Sequence, residues 1–269
     1  MGFGEQSEIV KVFMATLTEL YNHPGLLLTA HRGASFESAE NTIPAFDAAI
    51  KAGAHFIEFD LYVSKDGVPV VLHDKTIDRT SNGSGRPEDL LLEEMRGFNF
   101  SYFHHGERHA EPLFADVTLP TFEEVLRRYH DKVCMNIQLN GKPDENGIRE
   151  ICRLYKEYDM TEHGYLTIAW LDTIEEVRNY SPDIEYCYTQ KMADRAKIES
   201  LETCARMGCR FVQPVRAHIS EETFAACRRL GLRANIFCSD DPAEARRFMA
   251  MGADSFLTNK IELMASELL

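Results

Sequence analysis

From residue 26 onward, short apolar runs alternate with longer segments in which apolar residues recur at helical spacing. Nine runs have the length and composition of β-strands: Leu26–Ala30, Phe56–Tyr62, Pro69–His73, Val133–Leu139, Tyr165–Ala169, Glu185–Tyr188, Phe211–Gln213, Arg233–Phe237 and Ser255–Thr258. Helical patterns lie between them, near residues 42–52, 121–130, 146–158, 172–180, 192–207, 220–230 and 242–251. This alternation predicts an α/β fold in which βα units build a parallel sheet.

One of the strand candidates does not fit a parallel arrangement. Pro69–His73 follows Phe56–Tyr62 after a short segment that contains Asp66-Gly67, a hairpin turn signal. Because a parallel crossover needs about a dozen residues or more, this run is predicted to return antiparallel to strand 2. The remaining candidates predict a (β/α)₈ TIM barrel that forms a single domain over residues 1–269.

Two segments lie outside the repeating pattern. Residues 75–118 are polar, rich in His and too long for an ordinary loop, so we expect a small subdomain inserted after strand 2. Residues 1–24 are expected to form an N-terminal helical extension, because apolar side chains recur at helical spacing over residues 7–21.

The charge balance restricts the partners of the chain. Its 269 residues include 29 Lys and Arg against 43 Asp and Glu, which gives a formal net charge of −14. An acidic surface repels phosphate backbones, so no nucleic-acid partner is expected. An anionic small-molecule substrate would need a local metal cation, Arg or Lys to reverse this field.

The remaining sequence-wide features favour a cytoplasmic protein. No run of about 18 apolar residues is present, so no membrane span is expected. The N-terminus lacks the basic and then apolar layout of a signal peptide. The seven cysteines form no C-x-x-C pair, and they are predicted to be reduced structural thiols rather than disulfides or zinc ligands.

Polar residues interrupt the apolar strands at the end where a barrel collects its reacting groups. Strand 1 ends in His31-Arg32-Gly33, which could supply a proton carrier and a bidentate phosphate ligand. A structural His beside a surface Arg is the alternative. Glu58 and Asp60 alternate along strand 2 and therefore face the same side. Two carboxylates in an apolar strand favour a Mg²⁺ or Ca²⁺ site over pairing with Lys or Arg at the rim.

Two further strands carry polar residues. The return strand ends in His73-Asp74, which places a second imidazole after an apolar run. Asn136, Gln138 and Asn140 alternate along strand 3 and share one face. Buried amides need hydrogen-bond partners, so we expect these three to face a polar barrel mouth. An amide ladder between neighbouring strands is the alternative for Asn136.

Together these residues match one family in order and spacing. The matching segments are His31-Arg32-Gly33, Glu40-Asn41-Thr42, Glu58-Phe59-Asp60, Lys65-Asp66-Gly67-Val68-Pro69-Val70-Val71-Leu72-His73-Asp74 and Asp78-Arg79-Thr80-Ser81-Asn82-Gly83. The chain thereby resembles the glycerophosphodiester phosphodiesterase family, most densely over residues 28–85. The resemblance implies a TIM barrel that hydrolyses glycerophosphodiesters to glycerol 3-phosphate and an alcohol.

The resemblance also implies roles for individual residues. His31 and His73 would form an acid–base pair, and Arg32 would bind the substrate phosphate. Imidazole suits both roles near neutral pH, and general acid–base catalysis is typically worth roughly 10²–10⁴-fold in rate. The sequence leaves open which His is the acid and which is the base.

A divalent cation, Mg²⁺ or Ca²⁺, is the cofactor that the resemblance implies. Glu58 and Asp60 would be its ligands, with Glu40 close by as a ligand or as a support for one. Gln138 stands where the family usually has Glu, so only a neutral carbonyl oxygen is offered as the third ligand. Loss of that charge should weaken metal affinity, because ligand charge tunes it.

Other departures concern the substrate. Asn140 replaces a Lys that would contact the phosphate, and Phe237 stands where the family commonly has Trp at the substrate rim. Both are expected to contact substrate. Trp170, Tyr186 and Tyr188 fall near strand ends, where they could pack on a choline-like head group or within the core.

Three functions remain open at this point. The first is a metal-dependent hydrolase, and the second is a phosphodiesterase of altered specificity that yields a cyclic phosphate, as in the related sphingomyelinase D group. The third is a catalytically impaired glycerophosphodiester-binding relative, which the changes at Gln138 and Asn140 would explain. Retention of both histidines, Arg32 and the carboxylate pair favours the hydrolase. The partner is then a small-molecule diester, and the chain could also form homo-oligomers.

Overall fold

A computed structural model describes residues 15–269. The strands are β1 (Leu27–His31), β2 (Phe56–Val63), β3 (Pro69–Val71), β4 (Phe103–His104), β5 (Glu107–Arg108), β6 (Cys134–Leu139), β7 (Gly164–Ile168), β8 (Tyr186–Tyr188), β9 (Phe211–Val212), β10 (Arg233–Ala234) and β11 (Ser255–Thr258). The helices are α1 (Leu17–Tyr21), α2 (Ile43–Lys51), α3 (Leu92–Arg96), α4 (Phe122–Tyr129), α5 (Glu145–Glu157), α6 (Leu171–Tyr180), α7 (Ile198–Arg206), α8 (Glu221–Leu230), α9 (Pro242–Ala250) and α10 (Ile261–Leu268). No helix in this part of the chain is long and apolar enough to cross a membrane.

The central sheet is parallel and curled. Hydrogen bonds join its strands in the order β11-β1-β2-β6-β7-β8, with every pair parallel. β3 pairs antiparallel with β2, so that Leu61 lies opposite Val71. The predicted return of this run is therefore confirmed. All seven predicted helices are also present, as α2 and α4 to α9, although α7 begins only at Ile198 because a 3₁₀ turn occupies Met192–Asp194.

The pairing of the last strands differs from the prediction. β9 and β10 form a separate parallel ladder, and a bridge between Ile236 and Phe256 connects the following segment to β11. Within residues 15–269 no ladder joins β8 to β9, so six parallel strands pair continuously rather than eight. Pro214 lies two residues after β9 and has no N–H for a ladder, so pairing resumes only as a bridge between Val215 and Phe237.

The helices form because their ends are capped and one face is apolar. In α4, Thr121 accepts a hydrogen bond from the Glu124 backbone N–H, and the Glu124 carboxylate accepts from the Thr121 N–H in return. This capping box satisfies two backbone donors that a helix start leaves unpaired. The face toward the sheet buries Phe122, Val125, Leu126 and Tyr129. Burial of this apolar face holds α4 against the sheet.

α1 covers the amino-terminal end of the sheet. Its buried side chains join a cluster with the first residues of several strands: Leu17, Leu20, Leu27, Phe56, Cys134, Tyr165, Cys187 and Phe211. The carboxyl-terminal end stays open, which is where a site is expected. The structure thus contains the end of the helix predicted over residues 7–21, and residues 7–14 lie outside the described part of the chain.

A single buried arginine ties this N-terminal segment down. The Arg233 guanidinium, on β10, donates hydrogen bonds to five backbone carbonyl oxygens, those of Leu20, Tyr21, His23, Gly25 and Asp254. Arg233 is 5% exposed, and the Asp254 carboxylate lies 3.7 Å away. Burial lowers the pKa of Arg233, which the charge of Asp254 opposes. Carbonyl dipoles therefore carry most of the compensation for this charge.

Residues 75–118 contain α3 and the antiparallel β4–β5 hairpin. They share a small apolar core with β2, β3 and the segment before α4: Tyr62, Val70, Leu72, Ile77, Met95, Phe100 and Leu119. This core holds the segment beside the open end of the sheet.

Candidate active site

The turn after β1 brings two polar side chains to the open end of the sheet. His31 ends the strand, and Arg32 follows with a φ of 58°. A left-handed conformation costs a non-glycine residue about 1–3 kcal/mol, and here the Arg32 N–H is held by the Glu58 carboxylate at 2.9 Å. Gly33 has a φ of 79°, and a Cβ there would lie 2.7 Å from the Ala45 carbonyl carbon, so this position requires glycine.

The Arg32 guanidinium lies among buried carboxylates. Its Nη1 donates to Glu40 Oε1 at 2.9 Å, and its Nε lies 3.5 Å from Asp60 Oδ2. That Nε is buried and has no hydrogen-bond partner within residues 15–269. The Arg32 side chain also lines a cavity, where a guanidinium is suited to bind an anionic oxygen.

Glu58 and Asp60 are fully buried in β2, as the alternation along strand 2 predicted. Burial and the charge of Asp60 raise the pKa of Glu58 well above its usual range, against the opposing charge of Arg32. Burial also raises the pKa of Asp60, which Arg32 and His73 counteract. The cations near this pair therefore do not fully offset the cost of burying two carboxyl groups side by side.

Glu40 is held by two guanidinium groups. Besides Arg32, Arg79 donates from Nη1 to Glu40 Oε2 at 2.8 Å and from Nη2 to Glu40 Oε1 at 2.7 Å. Burial alone would raise the pKa of Glu40, but the hydrogen bonds and charges of Arg79 and Arg32 outweigh it and lower the pKa to about 2. Glu40 is thus a permanently charged group that orients both arginines.

His31 is fixed by a chain of polar contacts from the end of β11. Asn259 Nδ2 donates to Asp240 Oδ2 at 2.7 Å, which turns the Asn259 Oδ1 toward His31 Nδ1, also at 2.7 Å. The Nδ1 therefore carries the proton and the Nε2 lone pair is free, 4.0 Å from Glu58 Oε2. Burial and the charge of Arg32 lower the pKa of His31 to about 3. The ring is neutral at neutral pH.

His73 follows β3 and pairs with the next residue. Its Nδ1 lies 2.6 Å from Asp74 Oδ1, and Arg79 Nε donates to Asp74 Oδ2 at 2.6 Å. Burial raises the pKa of Asp74, but the hydrogen bonds of Arg79 and His73 prevail and lower the pKa to about 2. The ionised Asp74 fixes the orientation of the His73 ring, with one face of the pair still open to solvent.

Amide groups surround Asp60. Gln138 Nε2 donates to Asp60 Oδ1 at 3.0 Å and Asn140 Nδ2 donates to the same oxygen at 3.1 Å. Asn41 Nδ2 donates to Asp60 Oδ2 at 3.0 Å, and Asn140 also reaches the His73 carbonyl oxygen at 2.7 Å. Asn136 is fully buried one layer deeper and accepts a hydrogen bond from Thr167. The alternative given for Asn136, a contact with a neighbouring strand, is the one observed.

These groups border one cavity of about 580 Å³. It is lined by His31, Arg32, Ser35, Phe36, Glu40, His73, Asp74, Arg79, Phe103, Gly106, Asp240, Asn259 and Lys260. Both predicted acid–base residues and the predicted phosphate ligand thus reach the same space.

Other predicted site residues do not line that cavity. Glu58, Asp60 and Gln138 lie beneath it, where Asp60 contacts both Arg32 and Gln138. Asn140 spans Asp60 and His73 from the side, and Phe237 packs edge-on against His31 with ring centroids 5.5 Å apart. The positions of Asn140 and Phe237 suit residues that orient the site rather than residues that touch substrate.

The predicted aromatic contacts with a head group are also absent from this cavity. Trp170, Tyr186 and Tyr188 are not part of its lining, and all three pack in or against the main hydrophobic core. The core alternative stated for them is therefore the observed one.

The donor set fits a hard divalent cation in its chemistry. Two buried carboxyl groups with raised pKa values share one site, so additional positive charge would be stabilised there. Within residues 15–269 no three His, Cys, Asp or Glu side chains converge as a metal site, because the third position is the Gln138 amide. A rotation of the Gln138 amide would exchange the positions of its oxygen and nitrogen, so that the oxygen could face a cation bound beside Asp60.

Some site residues were missed from the sequence. Asn259 and Asp240 orient His31, and Arg79 joins Glu40 to Asp74. Asn259 directly follows β11, so the rule that reacting groups gather at strand ends could have found it. Arg79 lies in the matched segment Asp78–Gly83, but that match assigned no role to its side chain.

Comparison with known proteins identifies the family. The family model described as the glycerophosphoryl diester phosphodiesterase family matches residues 31–263, nearly the whole described chain. The chain belongs to this family. Its members are phosphoric diester hydrolases by name, and the motifs around His31, Glu58 and His73 fall inside the matched region.

Two relatives in this family match the chain over most of their own length. The glycerophosphodiester phosphodiesterase of Caldanaerobacter subterraneus is 30% identical over 241 residues, covering 88% of this chain and 96% of the relative. The enzyme of the same name from Bacillus subtilis is 28% identical over 269 residues, covering 95% of this chain and 90% of the relative.

Solved structures of family members share the fold. A glycerophosphodiester phosphodiesterase from Agrobacterium tumefaciens has a TM-score of 0.74 at 22% identity, covering 90% of this chain and 99% of that one. An Oleispira antarctica phosphodiesterase in complex with the product sn-glycerol-3-phosphate has a TM-score of 0.75 at 20% identity, covering 90% of this chain and 96% of that one.

Proposed function

We propose that this protein hydrolyses glycerophosphodiesters to glycerol 3-phosphate and an alcohol, with two histidines as acid and base and a divalent cation as cofactor. One observation carries the proposal: His31, His73 and Arg32 border the same cavity of about 580 Å³ directly above the Glu58–Asp60 pair. A phosphodiester anion resists nucleophilic attack, so its hydrolysis needs both positive charge and two proton transfers.

Arg32 supplies part of the positive charge. Glu40 accepts a hydrogen bond from Nη1 and Asp60 lies 3.5 Å from Nε, and the guanidinium held in this way lines the cavity, where it can bind a non-bridging phosphate oxygen. Arg79 fixes Glu40 in turn, so the phosphate ligand is preorganised by a second arginine. Donors fixed before substrate arrives stabilise developing charge without reorganisation during the reaction.

Glu58 and Asp60, with the Gln138 carbonyl, would hold Mg²⁺ or Ca²⁺, and Glu40 would support them through Arg32. A bound cation of this kind supplies Lewis-acid chemistry at a phosphoryl oxygen. The two carboxyl groups need such a charge, because Arg32 alone leaves their pKa values raised.

We assign the base role to His31 and the acid role to His73. His31 is neutral, and its Nδ1–H is held by Asn259, so its Nε2 can accept the proton of the attacking water or of a substrate hydroxyl. His73 donates Nδ1–H to the ionised Asp74, which orients the ring so that its Nε2 can deliver a proton to the leaving alkoxide.

The experiment that tests this function is an assay for glycerol 3-phosphate. Purified enzyme is incubated with glycerophosphocholine, glycerophosphoethanolamine and glycerophosphoinositol in Mg²⁺, Ca²⁺ or EDTA, and the products are separated. We expect metal-dependent release of glycerol 3-phosphate. A cyclic phosphate product would assign the altered-specificity reaction instead, and no turnover with retained diester binding would assign the impaired relative.

The proposal also includes the architecture and the compartment. We propose that the eight parallel strands close into a (β/α)₈ barrel, supported by the β9–β10 ladder and the Ile236–Phe256 bridge to β11. We propose a cytoplasmic location because all seven cysteines are free thiols and six are buried. An intracellular fractionation of the native host would test the second point.

A further inference from the structure

The outer wall of the cavity is built from two aromatic rings and a lysine. Phe36 lies on the loop after β1, Phe103 on β4 and Lys260 two residues after β11, and all three border the cavity. None of them belongs to the groups to which the proposed reaction assigns a role. They share the cavity with His31, His73 and Arg32, so a diester bound at those residues would lie close to them.

Each of these rings already carries a cation of the protein over its face. Arg79 Cζ lies 4.3 Å from the centroid of the Phe103 ring, and Lys260 Nζ lies 4.4 Å from the centroid of the Phe36 ring. Recognition of a quaternary ammonium group requires aromatic faces that are open to the ligand. A choline head group placed here would meet two like charges instead of two open π-faces.

Arg32, Arg79 and Lys260 all line the cavity, and of these three only Lys260 lacks a carboxylate ion pair among the described residues. Within residues 15–269 it forms no ion pair within 4.0 Å. Its neighbour Asp240 is occupied by hydrogen bonds from Thr258, the Asn259 backbone and the Asn259 side chain. Glu37 is near enough for its charge to interact with Lys260, but the two side chains form no ion pair within 4.0 Å. Lys260 thus keeps a charge that is available to a ligand.

We propose that Lys260 selects glycerophosphodiesters whose alcohol carries an anionic group, and that this wall disfavours quaternary ammonium head groups. The inference rests on the proposed function, since it concerns the substrate class of the same cavity. The net charge of the chain is −14, so an anionic head group would be repelled by the surface without a local cation at the mouth.

Three diesters separate the head-group charges. Glycerophosphocholine carries a cationic alcohol, glycerophosphoinositol a neutral one, and glycerophosphoinositol 4-phosphate the same polyol with one added anionic group. Values of kcat/KM are measured for wild type, Lys260→Met, Lys260→Glu and Lys260→Arg. Lys142→Met serves as the control, because Lys142 pairs with Asp172 at the surface and does not line this cavity.

We expect wild type to prefer glycerophosphoinositol 4-phosphate over glycerophosphocholine by about tenfold or more. Lys260→Met should lose about tenfold in kcat/KM on the phosphorylated diester, mainly through KM, and little on the neutral one. Lys260→Glu should reverse the preference, and Lys260→Arg and Lys142→Met should retain it. Far-UV circular dichroism and the thermal midpoint establish that each variant is folded.

Several results would overturn the inference. The ratio of kcat/KM for glycerophosphoinositol 4-phosphate to kcat/KM for glycerophosphocholine is the deciding quantity. The same ratio in wild type and Lys260→Met would show that Lys260 does not discriminate between head groups. An equal loss on all three diesters would place Lys260 on the scissile phosphate instead. A wild-type preference for glycerophosphocholine would contradict the occupied-ring argument. Absence of turnover of all three diesters by wild type would instead refute the proposed function itself, which is a distinguishable outcome.

Discussion

Substitution of Arg79 by Met is the sharpest test of how the site is held together. The guanidinium of Arg79 makes two hydrogen bonds to Glu40 and two to Asp74, and its side chain is 28% exposed. Met keeps much of the aliphatic volume and removes all four bonds. Glu40, with 4% of its side chain exposed, would keep only its bond to Arg32.

The magnitude follows from the charge state of Glu40. Its pKa is lowered from 4.5 to about 2, and one pKa unit corresponds to about 1.4 kcal/mol, so the ionised form stabilises the fold by about 3 kcal/mol. Arg79 lowers the pKa of Glu40 more than Arg32 does. We therefore expect Arg79→Met to lower the free energy of unfolding by about 2–3 kcal/mol at pH 7.

The sign of the pH dependence is fixed by the depressed pKa. A carboxyl group whose folded-state pKa lies below its unfolded value stabilises the protein above the unfolded value, and this stability is lost as pH falls toward the folded value. For Glu40 the window runs from 4.5 down to about 2. The difference between wild type and Arg79→Met should therefore shrink by roughly 40% between pH 7 and pH 3.5.

The assay is urea unfolding of both proteins at pH 7 and pH 3.5, followed by circular dichroism. Arg86→Met is the matched control in the same inserted segment, because Arg86 is 58% exposed in its ion pair with Glu88. Exposed pairs contribute little, so this variant should unfold as wild type does. A loss below about 1 kcal/mol for Arg79→Met at pH 7, or an identical loss at both pH values, would refute the reasoning.

Three further predictions concern turnover. His31→Ala and His73→Ala should each lower kcat roughly 10²–10⁴-fold with unchanged circular dichroism, and wild-type-like turnover in either would remove it from the acid–base pair. Gln138→Glu should lower the Mg²⁺ concentration that gives half-maximal activity after EDTA treatment, because it restores a ligand charge; an unchanged titration would exclude Gln138 from the metal site. Asn259→Leu should lower kcat about 10²-fold with little change in KM, since His31 loses its orienting partner; a change confined to KM would contradict that role.

The sequence predicted those parts of the molecule that depend on local periodicity. Helices α2 and α4 to α9 appear where apolar residues recur at helical spacing, and the antiparallel return of β3 follows from a hairpin turn too short for a crossover. The strand-end rule also identified His31, Glu58, Asp60 and His73 before any contact was known. His31, Glu58 and Asp60 project from strands, so their direction follows from the alternation of the strand itself, whereas His73 lies two residues beyond β3.

What the sequence did not predict depends on contacts between distant segments. Asn259 lies 228 residues from His31, and no local pattern shows that its amide would meet that imidazole. Arg79 was part of a matched motif, but its bonds to Glu40 arise only when the inserted segment packs beside the sheet. The separate β9–β10 ladder was missed because apolar composition predicts a strand without predicting which neighbour it pairs with.

The five carbonyl oxygens around Arg233 have a consequence for synthesis of the chain. Residues 20–25 leave the ribosome long before residue 233, so their carbonyl groups remain hydrated or transiently paired until β10 has been made. The segment that precedes β1 is thus held by a strand that is synthesised much later. A nascent chain that stops before β10 would lack these hydrogen bonds. The packing of α1 and the following residues against the amino-terminal end of the sheet is therefore completed late in folding.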